Sequence, residues 1–127
     1  MAAGNARAEQ QRKAQQDEIR RQDDEREAHV IAHENAHAAI AGNAPVYEYN
    51  ERGRIVGGHV PVTLNPNSRA SLERAKAAAE APGGDMSAQD AAVASQADAM
   101  LRALDAKANQ GRAQLAMQNP LQKAAFQ

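Results

Sequence analysis

Two histidines stand four residues apart, with a glutamate directly after the first, in the run His33-Glu34-Asn35-Ala36-His37. In an α-helix, positions i and i+4 share a face, so His33 and His37 can aim ring nitrogens at one ion. Zinc suits such a pair, because neutral imidazole is a favoured ligand at about 2.0–2.1 Å. From its position Glu34 reaches a water on the ion rather than the ion itself. Zinc lowers the pKa of that water to about 7, and Glu34 could take its proton during attack on a carbonyl. This is the chemistry of a metallopeptidase or of another hydrolase with the same site.

A catalytic zinc needs a third protein ligand and an open position. All four histidines fall between positions 29 and 59, and the run after His37, AAIAGN, lacks the metzincin offsets. His59 is the expected third ligand, with Gly57-Gly58 letting its strand approach the helix; the alternative is a strand residue with a satisfied ring nitrogen. Three histidines at i, i+4 and i+8 span about 12 Å of helix rise, too far for one ion, which leaves His29 beside the site or at the surface. Asp90 could orient a ligand histidine through its second ring nitrogen, or could be the N3 carboxylate of a capping box. Tyr47 and Tyr49 could donate hydrogen bonds to a developing oxyanion, or could pack one face of a hairpin.

The elements that must position these groups follow from the sequence pattern. Residues 1–27 are rich in Gln, Arg, Glu, Asp and Ala, lack proline, and have Ile19 as their one large apolar residue after Met1. Strong helix formers without an apolar stripe make a polar helical arm, either solvated or docked on another chain. Residues 28–41 add Val30, Ile31 and Ile40 around the histidines, and Gly42 ends the helix. Strand formers on both sides of Asn50-Glu51-Arg52-Gly53 predict a β-hairpin of about 46–50 and 54–64. Gly57-Gly58 inside it signals a bulge or a close approach of another backbone or ligand. Ser68 caps a helix of about 68–81, stopped by Pro82-Gly83-Gly84. Ser87-Ala88-Gln89-Asp90 opens a last long helix with Val93, Ala97, Met100, Leu104 and Ala108 on one face, fading at Gly111 and Pro120. The fold class expected is α+β, mainly helical, with the His-Glu helix packed on a small hairpin. The expected organisation is an arm over 1–27, a zincin-like domain over 28–110 and a polar tail over 111–127.

Composition bounds the rest. The chain has 127 residues; its hydrophobic fraction is 43%, much of it alanine, and only 2% is aromatic. Alanine buries little surface, so the core must be thin, and a bound metal or partner chains would help stabilise it. A net charge of −1 leaves no basic field for nucleic acid. The absence of cysteine excludes disulfides and thiolate ligands. No segment reads as a signal peptide or a membrane span, so a cytoplasmic or virion-associated location is expected.

The run from Asp24 to Gly42, DEREAHVIAHENAHAAIAG, resembles the start of the SprA-related family of bacterial metallopeptidase catalytic domains. That family joins a charged lead-in and an HExxHA helix to a Pro-x-Tyr-x-Tyr hairpin, a Gly-Gly-Glu-Val strand and a Pro-Ser-Ala-Gln-Asp helix start. The corresponding pieces here are Pro45-Val46-Tyr47-Glu48-Tyr49, Gly57-Gly58-His59-Val60 and Met86-Ser87-Ala88-Gln89-Asp90, in the same order over about residues 24–108. His59 stands where the family has glutamate and Met86 where it has proline. Histidine can replace a glutamate ligand on zinc, with a change in the charge of the site. The resemblance implies a zincin-like fold, zinc and a peptide or protein substrate. Two further readings stand beside it: a non-catalytic zinc-stabilised component of a homo-oligomer or larger assembly, and a helical adaptor without metal.

Overall fold

The computed structural model describes residues 2–118, with side chains from 4 to 117. The elements are α1 (Ala2–Ala41), β1 (Val46–Tyr49), β2 (Ile55–His59), α2 (Arg69–Glu80), a 3-10 turn (Gly83–Asp85) and α3 (Ala88–Gln118). Among the described residues, three helices and one antiparallel hairpin make a mainly helical α+β fold. The chain divides between Pro61 and Val62 into two compact units. That boundary falls within the 28–110 segment read from sequence as one domain.

In the first unit the expected arm and the His-Glu helix are one uninterrupted α1. It stops at Gly42, whose φ of 76° is left-handed and whose N–H reaches the Ala38 carbonyl at 2.9 Å. Side chains 4–22 are exposed throughout. One face of the helix closes from Asp23 onward. Asp23, Glu27, Val30, Ile31, Glu34, His37 and Ala41 are buried or half-buried, while Glu25, Ala28, Ala32, Asn35 and Ala39 face solvent. Steps of three and four residues between the buried positions define a single stripe.

The hairpin lies against this stripe through β2. Its ladder pairs Val46 with His59, Tyr47 with Gly58, Glu48 with Gly57, and Tyr49 with Ile55, which leaves Val56 unmatched as a bulge. The second strand ends at His59, not near residue 64. The next residue of the partner strand would be Pro45, which has no N–H to offer. In the turn, the Asn50 side-chain oxygen accepts from the backbone N–H groups of Arg52 at 2.9 Å and Arg54 at 3.0 Å, and Gly53 takes a φ of 74°.

Ion pairs fasten this turn to α1. Arg52 grips Asp23 through Nη2 at 2.8 and 3.0 Å and Nε at 3.2 Å, and Arg26 adds a contact at 2.7 Å. Arg54 donates from Nε to Glu27 at 2.6 Å and from Nη2 to Asp24, and the Ile55 N–H donates to Glu27 at 3.0 Å. The Arg52 guanidinium, with help from Arg26, holds the Asp23 carboxyl below the usual carboxylate range. Arg54 and then the Ile55 N–H do the same for Glu27.

The second unit is an antiparallel helical pair. Lys76 meets Asp98 at 3.1 Å and Arg69 meets Asp105, so later residues of α2 face earlier residues of α3. Between them lie Leu72, Ala75, Ala78, Ala79, Ala94 and Ala97, with Leu72 as the one large fully buried side chain among the described residues. The core is thin, as the alanine content requires. Ser68 caps α2 by accepting from the Ser71 N–H at 3.2 Å. Val93, Ala97, Met100 and Leu104 face inward as expected, whereas Ala108 is exposed. α3 passes through Gly111 to Gln118, beyond the expected fading point. The part of the expected tail over 119–127 lies outside the described residues.

Candidate metal centre

His33, Glu34 and His37 sit on the last third of α1, where the apolar residues around them hold the helix against β2. Nε2 of His33 lies 3.2 Å from Nε2 of His37, with the ring planes 82° apart. Two nitrogens bound to one tetrahedral zinc at about 2.05 Å would lie roughly 3.3–3.4 Å from each other. The pair therefore fits two corners of a zinc site with little movement. Without an ion, the same spacing makes a ring–ring hydrogen bond when one nitrogen carries the proton and the other does not.

Glu34 is 5% exposed and His37 6%. The Glu34 Oε1 atom lies 3.8 Å from His33 Nε2. Its Oε2 is buried without a hydrogen-bond partner among the described residues. An unpaired buried carboxylate oxygen costs free energy, and such an orphan points to an absent partner. A water or ligand beside the two ring nitrogens would supply one. The donor set, two neutral imidazoles and a flanking carboxylate, suits zinc.

No family model, curated protein or solved structure matches the chain.

The close approach expected at Gly57-Gly58 occurs at Gly58. A Cβ there would lie 3.2 Å from Glu34 Cγ, 3.1 Å from Tyr47 Cδ1 and 3.0 Å from the Val46 carbonyl oxygen. Residue 58 thus faces the helix, directly over Glu34. Strand alternation then turns residue 59 the other way. His59 is exposed at the end of β2 and does not join His33 and His37 in a shared ligand set. The expectation that it completes the metal site is corrected by this alternation: the double glycine brings its first-facing residue, not the histidine, to the helix.

The two tyrosines separate. Tyr47 pairs with Gly58, is half-buried and covers that glycine on the face that looks toward Glu34. Tyr49, beyond the bulge, is 62% exposed. His29 is exposed, one turn before His33, with ring centroids 6.3 Å apart. Asp90 closes the expected capping box in the second unit: its carboxylate accepts from the Ser87 N–H and the Ser87 hydroxyl oxygen accepts from the Asp90 N–H, both at 3.0 Å. Sequence reading missed the fastening residues Asp23, Glu27, Arg52 and Arg54. The signal was present, because Asp23 and Glu27 continue the Glu34 stripe upstream.

Proposed function

We propose that the protein is a zinc-dependent hydrolase of the metallopeptidase type, with His33 and His37 as zinc ligands and Glu34 as general base. The observation that carries this reading is the 3.2 Å spacing of the two Nε2 atoms, with Glu34 Oε1 3.8 Å from His33 Nε2 and Glu34 Oε2 buried without a partner among the described residues. A zinc ion held by the two rings would supply Lewis acidity and an acidified water. Glu34 would accept the proton of the attacking water at its carboxylate and pass it to the leaving group. Its burial keeps competing bulk water away and holds the carboxylate in one place. Tyr47, on the same face of the hairpin, is the better placed of the two tyrosines to donate to a carbonyl oxygen in reaction. The resemblance to the SprA-related domains supports the same assignment and a peptide substrate.

A second reading is a zinc-stabilised component of a larger assembly. It is favoured by the thin alanine core and by the exposed polar helix over residues 4–22, which offers surface to a partner.

Metal content separates these readings. The purified chain, made without a histidine tag, should carry about one zinc, as a single such site holds one ion. His33→Ala should lose it, and Glu34→Gln should keep it. Peptide cleavage that disappears in Glu34→Gln while zinc stays bound supports the hydrolase. Bound zinc without cleavage in the wild type supports the assembly reading. A wild type that takes up no zinc at neutral pH overturns both.

A further inference from the structure

We propose that the hairpin is a releasable cover over Glu34, held shut by the ion-pair latch of Asp23, Asp24 and Glu27 with Arg52 and Arg54. The two ends of the hairpin are fastened by different physics. At the turn end, charge-assisted hydrogen bonds join both arginines to α1. At the other end, Gly58 faces Glu34 so closely that a Cβ on it would lie 3.2 Å from Glu34 Cγ.

A buried carboxylate oxygen without a partner is unfavourable by itself. In Glu34 that oxygen is Oε2, which has no partner among the described residues. Lifting β2 would rehydrate this oxygen, so the latch must hold the strand down. The lengths agree with such a coupling. From Glu27, which accepts from the Ile55 N–H, to Glu34 the helix rises about 10.5 Å. From Ile55 to Gly58 an ordinary strand rises about 10 Å, slightly less with the bulge at Val56. Fixing Ile55 on Glu27 therefore lands Gly58 on Glu34.

The latch is accessible to solvent from one side: the Arg52 side chain is 55% exposed, while Asp23 beneath it is 4%. Salt weakens such part-open pairs, though less than fully exposed ones, with a Debye length of about 3 Å at 1 M. Salt, or loss of the two guanidinium groups, should free the cover. The proposal concerns access to a carboxylate and stands apart from the metal assignment. Under the hydrolase reading, it further means that substrate reaches Glu34 only when the cover moves.

The test is carbodiimide-and-amine labelling of carboxylates on the full chain, read by tandem mass spectrometry, with exposed Glu73 as internal reference. It is run with and without a chelator. Glu34 should label far more slowly than Glu73 in the wild type. In Arg52→Ala/Arg54→Ala its rate should rise on the order of tenfold or more, as expected for local opening, with Glu73 and helical circular dichroism unchanged. High salt should speed Glu34 labelling in the wild type and leave the double variant unaffected; Arg54→Lys should fall between the two. If the double variant loses its helices, the salt response of the wild type decides. The proposal is overturned by an unchanged Glu34 rate in a folded double variant, by a wild-type rate that ignores salt, or by protection that chelation alone abolishes.

Discussion

Alanine at Gly58 should destabilise the protein by about 1–2 kcal/mol, a net of two opposed effects. The added methyl would meet the Val46 carbonyl oxygen at 3.0 Å, Tyr47 Cδ1 at 3.1 Å and Glu34 Cγ at 3.2 Å. Carbon contacts are comfortable at about 3.5–4.0 Å, so all three neighbours must give. The Tyr47 ring and the Glu34 side chain can turn by small amounts. The Val46 oxygen is backbone, fixed by the pairing of Val46 with His59, and can retreat only if the ladder shifts. Overpacking of this kind costs about 1–3 kcal/mol. Alanine returns about 0.4–1 kcal/mol by narrowing the unfolded ensemble.

Gly57→Ala is the internal control. A Cβ at residue 57 meets the far end of the exposed Glu48 side chain, at 3.3 Å from Oε2, which can swing aside. That variant should lie within about 0.5 kcal/mol of wild type or slightly above it. Urea denaturation at neutral pH measures both. At about 4–8 °C per kcal/mol for a unit of this size, Gly58→Ala should also melt roughly 5–10 °C lower. Equal stability of the two alanine variants would refute the reasoning, because it would mean that β2 does not press on Glu34.

Two further outcomes follow from the ion pairs and the core. Asp23 and Glu27 have carboxyls held below their ordinary values by Arg52 and Arg54 respectively, so the unfolded chain binds protons first as pH falls. Their stabilisation is complete above the ordinary carboxylate range and is lost as pH drops from about 5 through the lowered values; urea midpoints across that window should fall more steeply in wild type than in Arg52→Ala/Arg54→Ala. Leu72→Ala should cost about 2–5 kcal/mol in the α2–α3 unit, toward the upper end because its buried neighbours are alanines too short to fill the space, while Leu72→Met should cost under about 1.5 kcal/mol by the same denaturation assay.

Local chemistry made much of this structure legible in the sequence. Gly42 had to end α1, Ser68 had to cap α2, and Ser87 with Asp90 formed the box their spacing announced. The His33–His37 pair also followed from periodicity alone, since i and i+4 meet on any helix. His59 did not, because its direction depends on which glycine touches the helix. A ladder with a bulge one residue earlier sets that parity, and hydrophobic pattern does not report it. The length of α3 escaped for a different reason: glycine lowers helix propensity by about 1 kcal/mol without forbidding the helix, and Gly111 has good formers on both sides.

The stripe Asp23, Glu27, Glu34 and His37 carries two kinds of residue for one purpose. Its upstream acids take hold of the arginines at the hairpin turn, and its downstream members carry the candidate chemistry. A hairpin attached only by apolar contact could slide, since Ile55 and Val56 differ little in what they bury. Charge removes that freedom: Asp23 accepts both Arg52 donors and Glu27 accepts the Ile55 N–H, which fixes the strand to one residue. A slip by one position would turn the other face of β2 to the helix and bring Gly57 or His59 toward Glu34. The imidazole of His59 would then have to enter a gap where a single methyl already meets three atoms at 3.0–3.2 Å. The latch and the glycine are therefore parts of one device: the first sets the register, and the second is the residue that register permits.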